Sequence, residues 1–383
     1  MAFAAIALFF GLALVYATPP FHAPDEAGHF WRADALALGY WIPPMHHGHP
    51  SAMIPRGIEQ LWYGRDTPLE LDHRVLVHFP AYYTPLLHLP QAFACFVGHR
   101  LDLRPIAILH LGRICNLVVF IALMAIAMRA SPPLALPVAV VGLLPMSLHL
   151  AASFSPDAMT IAIATLLTAT MSTTFSALIA FVKPVYFPIV FMTRRVRAYV
   201  ACSLSLIVTA LLLRRTFYAD RPGAFVDPAA QLRGIAHAPF TFIAIVIGDY
   251  ARHAPRYAEE LVGRLGSLDV ALPRIVILML IAVVIAVALT NDVRFTAKER
   301  ALAALSIATS MLLISTSQYL NWTPPHARFI DGVQGRYFLP LLPLAMAACG
   351  GTVRRRVPVD VICAVLIVAD LFAVVALTPT PRP

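Results

Sequence analysis

The sequence predicts an all-α integral membrane protein, organised as a single transmembrane domain over residues 1–383. Hydrophobic residues make up 59% of the chain and charged residues 13%, whereas soluble domains are about a quarter charged. Apolar runs close to the length that crosses a bilayer recur along the chain. Arginines cluster in short segments between these runs, which is typical of the cytoplasmic loops of membrane proteins.

Nine apolar runs approach the roughly 20 residues that a membrane-spanning helix needs, with about 17 as the lower limit. They are residues 2–17, 106–128, 134–150, 158–181, 197–213, 274–290, 301–317, 338–352 and 357–377. Two shorter runs, 83–97 and 235–248, are predicted to form interfacial or re-entrant helices. The run 2–17 lacks a basic start and a cleavage pattern, so we interpret it as a retained first span. The prediction is a bundle of about 9–11 transmembrane helices.

Clustered basic residues predict the orientation of the chain. Three clusters should be cytoplasmic: Arg194, Arg195 and Arg197, then Arg294, Lys298 and Arg300, then Arg354–Arg356. Nine crossings with a cytoplasmic N-terminus satisfy all three and leave 18–105, 151–157, 214–273 and 318–337 outside. Lys183 is expected on the inner side, where it begins a short re-entrant helix. If 83–97 were a true span, the sidedness up to Lys183 would reverse.

The remaining composition narrows the function classes. The net charge of +9 is typical of cytoplasmic loops that face acidic lipid headgroups, which predicts membrane lipid and not nucleic acid as a partner. Lipid phosphates are the functional alternative for this basic balance. The glycines of residues 262–273 lack the spacing of a phosphate loop, so no nucleotide cofactor is predicted. The five cysteines are scattered and have neither a disulfide framework nor a metal spacing.

The first exterior segment carries the densest group of ionisable residues. Pro24 can open a helix whose first turn would hold Asp25 and Glu26, where the helix dipole favours negative charge. Asp25, His29, Arg32 and Leu36 are then spaced to share one face, and Gly39 ends the run. Two interpretations stay open: a charged cap on an interfacial helix, or part of a functional site.

Other polar residues occur at or inside the apolar runs. Arg113 lies within the run 106–128, where a charge is costly and should face the bundle interior or a wet cavity. Ser155-Pro156-Asp157 fits a helix start, and Asp157 fits a cavity-lining carboxylate equally well. Arg336 precedes a span and offers a rigid fork suited to phosphate oxygens, although an arginine also snorkels to headgroups.

Six motifs occur in an order that covers nearly the whole chain. They are Pro24-Asp25-Glu26-Ala27-Gly28-His29-Phe30, Tyr83-Thr84-Pro85-Leu86, Ser155-Pro156-Asp157-Ala158, Lys183-Pro184-Val185-Tyr186, Leu265-Gly266-Ser267-Leu268-Asp269 and Gln334-Gly335-Arg336-Tyr337-Phe338-Leu339-Pro340. Together they resemble a family of bacterial multi-pass membrane proteins catalogued as a domain of unknown function. That family looks related to the GT-C glycosyltransferases, which use polyprenyl-phosphate-linked sugars.

The resemblance implies a GT-C-like bundle with a long first exterior loop that carries interfacial helices. It also implies a catalytic acid in that loop, which maps onto Asp25 with Glu26 beside it. Asp25 would act as a base or as the ligand of a divalent metal ion, Mg or Mn. The resemblance also maps a second exterior acid onto Asp157 and a basic residue near the lipid phosphate onto Arg336, with Arg113 as a second basic candidate. The other candidate substrate-binding residues are His29, Arg32, Gln334 and Tyr337.

The expected function is therefore transfer of a sugar from a polyprenyl-phosphate donor to a glycan, lipid or protein acceptor. A carboxylate can take the proton of the acceptor hydroxyl, and positive charge is needed where the phosphate leaves. The expected location is the outer face of a bacterial cytoplasmic membrane. Two alternatives stay open: a glycolipid transporter or flippase, and a non-catalytic subunit of an envelope polysaccharide assembly complex.

Overall fold

The structure, a computed structural model, describes residues 2–214, 216, 226–353 and 357–379, and these residues are mostly helical. The α-helices are α1 Ala2–Ala17, α2 Glu26–Ala37, α3 Arg56–Gln60, α4 Leu89–Arg100, α5 Pro105–Ala130, α6 Ala135–Gly142, α7 Pro145–Ala151, α8 Asp157–Thr170, α9 Thr173–Val182, α10 Val196–Leu213, α11 Pro228–His237, α12 Pro239–Val262, α13 Arg274–Thr290, α14 Ala297–Trp322, α15 Leu342–Cys349 and α16 Val359–Leu377. The 3₁₀ segments are Leu61–Tyr63, Pro85–His88, Pro132–Leu134, Pro184–Thr193 and Gly335–Leu341. The strands are β1 Met45–His46, β2 His49–Pro55, β3 Arg74–His78, β4 Arg264–Leu265 and β5 Val270–Ala271.

The prediction of an all-α membrane protein is confirmed, but many of its apolar runs are broken. In the described ranges, four helices are long and apolar enough to cross a membrane: α5, α10, α14 and α16. Two bent pairs raise that number to six, with bends of 77° before α7 and 107° between α11 and α12. Other predicted spans are apolar helices of 10–17 residues. Helix length and composition thus support fewer spans than the predicted 9–11, because prolines and tight turns divide the runs.

The predicted span 158–181 is a helical hairpin. Met171 adopts a left-handed backbone (φ 47) after α8, and the side chain of Ser172 then caps α9 by accepting the Thr174 N–H. Asp157, the first residue of α8, and Lys183, just past α9, form an ion pair of 2.5 Å. The hairpin therefore returns Lys183 to the end of the bundle where Asp157 lies.

The prediction that Lys183 lies on the same side as the Arg194 cluster is wrong. Arg194 pairs with Glu299 in the first turn of α14 at 2.9 Å. Lys183 lies near the other end of this helix, since it lines a cavity together with Trp322, the last residue of α14. The 26 residues of α14 extend over about 39 Å. The 3₁₀ segment Pro184–Thr193 packs along α14 and connects its two ends. The third predicted basic cluster, Arg354–Arg356, lies outside the described residues.

The long predicted exterior loop 18–105 forms a folded layer on the helices. It contains α2, α3, α4 and a three-stranded antiparallel sheet in the order β1-β2-β3, which the sequence analysis did not predict. Phe30, Ile54 and Ile58 are fully buried in its own hydrophobic cluster, which also includes Leu109 of α5 and Phe154. A Cβ on Gly112 would overlap the ring of Phe154, so glycine at that position lets Phe154, between α7 and α8, pack closely on α5 beneath the loop layer. This packing fixes α2 against the ends of α5 and α8.

We predict that the end of the bundle that holds Asp269 and the end that holds Arg195 lie on opposite faces of the membrane. Single cysteines at exposed Asp269, which pairs with His22, and at exposed Arg195 should react with a membrane-impermeant maleimide from opposite sides. The measurement uses oriented vesicles and a background in which the five native cysteines are replaced. Lys298→Cys, at the Arg195 end, is the control. Labelling of Asp269→Cys and Arg195→Cys from one side would contradict the arrangement.

Candidate functional site

Asp25 precedes α2, whereas the sequence pattern placed it in the first helical turn. Its backbone is left-handed (φ 58), a conformation that Asp adopts more readily than most residues, and its side chain does not cap the helix. The Asp25 side chain is 60% exposed, while that of the adjacent Glu26 is 0% exposed. The turn thus sends two neighbouring carboxylates into different environments.

The guanidinium of Arg336 joins the two acids that the sequence analysis placed in separate exterior loops. Nη2 donates to Asp25 Oδ2 at 3.0 Å and Nη1 donates to Asp157 Oδ2 at 3.1 Å. Nε donates to the side-chain carbonyl of Gln334 at 2.6 Å. These bonds occupy both edges of the planar fork of a side chain that is only 2% exposed.

Lys183 completes this group from the end of the α8–α9 hairpin. Its ammonium lies 2.5 Å from Asp157 Oδ1. It also lies over the rings of Tyr83, Tyr186 and Tyr337, 4.8, 5.9 and 5.6 Å from the ring centroids. Aromatic faces stabilise a cation that has lost water. We call Asp25, Asp157, Lys183 and Arg336 the charge cluster; its two cations and two carboxylates are formally neutral.

Arg336 is positioned by a close contact between its own segment and α12. The N–H of Gly335 donates to Glu260 Oε2 at 2.6 Å, and Glu260 is buried. A Cβ at residue 335 would collide with the carbonyl oxygen of Tyr257, so only glycine fits this approach. In addition, the Tyr186 hydroxyl donates to the carbonyl of Tyr337 at 2.8 Å. Both ends of the Gly335–Tyr337 segment are therefore fixed.

Asp157 satisfies both interpretations that its sequence left open. Its N–H donates to Ser155 Oγ at 3.2 Å, which is a helix-start contact. Its carboxylate accepts from Lys183 and Arg336 in the buried site. The capping contact and the cluster contacts use different atoms of the residue, so they do not compete.

Glu26 and Arg113 form a buried structural pair next to the charge cluster. Nη2 and Nε of Arg113 donate to the two carboxylate oxygens of Glu26 at 2.6 and 2.8 Å. Arg113 also donates to the carbonyls of Val15, Thr18 and Pro19. Both side chains are 0% exposed, so neither reaches a substrate in this arrangement. The pair ties the end of α1 and the start of α2 to α5.

His29 and Arg32 lie on α2 in different surroundings. His29 Nδ1 is 3.1 Å from His88 Nε2, and burial lowers the pKa of His29 to about 4, although Asp25 and Asp157 oppose that shift. Arg32 is buried and donates to the carbonyls of Tyr40 and Trp41 just beyond α2. His29 therefore borders the charge cluster as a neutral ring, and Arg32 holds the chain that follows α2.

The structure brings together Asp25, His29, Asp157, Gln334, Arg336 and Tyr337 of the predicted site residues. It separates Glu26, Arg113 and Arg32 from them in buried contacts. Lys183, Tyr83 and His88 also belong to this region, although they were not among the predicted site residues. The sequence does contain a signal for Lys183: it is one of only two lysines in the chain, and it follows the end of an apolar run.

The donor set does not fit the divalent metal that the resemblance implies. In the part of the chain that the structure describes, no group of three or more His, Cys, Asp or Glu side chains could hold a metal ion. The two site carboxylates already lie against Arg336, and a guanidinium between them repels a metal cation. No step is therefore assigned to a metal below.

One protein family matches the chain. The model of the family described as "Predicted membrane protein (DUF2142)" matches residues 58–345, more than half of the chain. The chain belongs to this family. Asp157, Lys183 and Arg336 lie inside the matched region and Asp25 lies before it. No curated protein and no solved structure matches the chain.

We predict that Glu26→Ala destabilises the protein by about 3–5 kcal/mol, because it leaves Arg113 buried without its carboxylate. The free energy of unfolding in mixed detergent micelles measures this loss. Arg104→Gln breaks the exposed pair with Asp66 and should cost less than about 1 kcal/mol. Equal losses for the two variants would contradict a buried structural role for Glu26.

We predict that His29 makes the protein less stable as the pH falls from about 6.5 to about 4. The unfolded chain takes up a proton at His29 near the ordinary value of 6.5, whereas the buried ring resists it down to about 4. Stability contributed by the neutral ring is therefore present above this window and lost through it. The thermal midpoint measured across the window should fall less in His29→Gln than in the wild type. Parallel pH profiles would refute this assignment.

Proposed function

We propose that the protein is a glycosyltransferase that moves a sugar from a polyprenyl-phosphate donor to a hydroxyl of a cell-envelope acceptor. One observation carries this proposal: an accessible carboxylate, Asp25, is held at 3.0 Å against a buried arginine that shares Asp157 with Lys183. The arrangement combines a proton acceptor with two cations in one site, which are the two groups that glycosyl transfer from a lipid phosphate needs.

In the proposed reaction the acceptor hydroxyl oxygen attacks the anomeric carbon of the sugar. The bond between that carbon and the phosphate oxygen breaks, and the leaving polyprenyl phosphate keeps the electron pair. Lys183 and Arg336 stabilise its developing negative charge, since preorganised cations in a site of low polarity are effective there. Asp25 takes the proton of the acceptor hydroxyl. Asp157 orients both cations and remains bound to them.

Glu26 and Arg113 have no catalytic part in this mechanism because their side chains are buried against each other. Tyr337 positions the Lys183 ammonium, which lies over its ring. Gln334 positions Arg336 by accepting a hydrogen bond from its Nε. The site lies at the end of α14 opposite Arg194, which pairs with Glu299 in the first turn of that helix. We therefore propose that it faces the outside of a bacterial cytoplasmic membrane and that the N-terminus is cytoplasmic.

We predict that Asp25→Asn lowers transfer by about 10²- to 10⁴-fold, since the amide cannot accept the proton. The assay gives the purified protein a labelled polyprenyl-phosphate sugar together with a membrane extract that contains acceptors. Asp102→Asn is a matched control: Asp102 has the same left-handed backbone (φ 47), is exposed and lies in the same loop layer. It should retain full activity.

Two outcomes would overturn the proposal. Transfer that is equal in Asp25→Asn and in the wild type would remove Asp25 from the reaction. Movement of the labelled lipid between the leaflets of liposomes, without any transfer, would favour the flippase alternative.

A further inference from the structure

Tyr83 lines two cavities beside the charge cluster. The first has a volume of about 370 Å³ and lies between the loop layer, α9 and the end of α10. The second has a volume of about 270 Å³ and lies along the last turns of α14. Tyr83 lines both, and its ring carries the Lys183 ammonium 4.8 Å from its centroid. A ligand that extends past Tyr83 from one cavity to the other would therefore pass the Lys183 ammonium.

The first cavity is apolar. Apart from Arg32 and Thr216, its lining consists of hydrocarbon or aromatic side chains, including Leu86, Phe181 and Leu212. The two terminal nitrogens of Arg32 donate to the carbonyls of Tyr40 and Trp41. Trp41 and Ile42, which also line the cavity, are 56% and 63% exposed among the described residues. Such a lining suits a hydrocarbon chain that enters from the membrane.

The second cavity has a different chemistry. Its aromatic lining includes Tyr82, Tyr186, Trp322 and Tyr337, and it is interspersed with the hydroxyls and amides of Thr316, Ser317, Gln318 and Asn321. Gln318 is half-buried in this lining, and its side-chain amide is a group that hydrogen-bonds hydroxyls. Flat apolar ring faces together with amides and hydroxyls match the apolar faces and hydroxyl edges of a sugar ring.

We infer that the second cavity, defined by Lys183, Tyr186, Gln318, Asn321, Trp322 and Tyr337, binds a single sugar ring of a lipid-phosphate donor. The lipid chain occupies the first cavity, and the phosphate lies at Lys183 and Arg336 between them. The volume of about 270 Å³ falls just below the roughly 300–1,000 Å³ of drug-sized pockets, which favours one sugar over an oligosaccharide. This inference rests on the proposed function and names the subsite that recognises the donor's sugar.

The test compares the binding of two kinds of probe to the full chain in detergent. The probes are farnesyl phosphate and farnesyl phosphate linked to glucose, mannose or galactose. At least one sugar-linked probe should bind the wild type more tightly than farnesyl phosphate. Gln318→Leu removes an amide from the lining of the second cavity and should weaken only the sugar-linked probe, by about tenfold. Leu212→Trp fills the first cavity and should weaken both probes, whereas exposed Leu211→Trp on the same helix should change neither.

The outcomes separate the inference from the proposed function. If Gln318→Leu changes the affinity of both probes equally, the sugar ring makes no specific contact in the second cavity and the sugar subsite is refuted, even where transfer is observed. If no sugar-linked probe binds more tightly than farnesyl phosphate, the subsite is likewise refuted. If the expected binding pattern holds and the wild type transfers no sugar, the subsite stands and the proposed function fails. Asp25→Asn should change the affinities of both kinds of probe by the same factor, because it alters a partner of Arg336 at the phosphate and not the sugar subsite.

Discussion

The buried guanidinium of Arg336 is the constraint on which the site depends. A charge that is 2% exposed is tolerated only where opposite charges and hydrogen bonds replace its water. Here the replacements come from Asp25 and Asp157, 311 and 179 residues away in sequence. Each partner must therefore be delivered by a separate part of the fold. The α8 start supplies one carboxylate and the turn before α2 supplies the other.

The charge cluster is also suited to the replacement of one of its carboxylates by a bound anion. Its two cations and two carboxylates are neutral together, so the site is satisfied without a ligand. Asp157 is buried and contacts both cations, whereas Asp25 is 60% exposed and contacts one. An incoming phosphate can therefore replace Asp25 at Arg336 at lower cost than it could replace Asp157. Displacement by the donor would free the Asp25 carboxylate when a base is needed.

The sequence could predict the residues of the cluster better than their arrangement. Asp25, Asp157 and Arg336 stood out because ionisable residues at the ends of apolar runs are costly unless they are used or paired. Lys183 was placed on the wrong side because the turn at Met171-Ser172 interrupts an otherwise continuous apolar run by very few residues. The mean hydropathy of such a run is that of a single membrane span. The sheet β1–β3 was missed because β1 has only two residues and because apolar and polar residues do not alternate clearly along β2 and β3.

The choice between Asp25 and Glu26 was beyond the sequence, since both are acids in adjacent positions. The backbone decides it: the left-handed turn at Asp25 leaves its carboxylate accessible, and the helix that begins at Glu26 directs the next carboxylate to Arg113. The two roles are linked, because Arg113 also binds the carbonyls of Val15, Thr18 and Pro19 and so fixes the chain that leads to the turn. A buried acid thus holds the position of an accessible one. Neighbouring carboxylates with unequal exposure are what an active site needs when one acid is structural and the other exchanges protons.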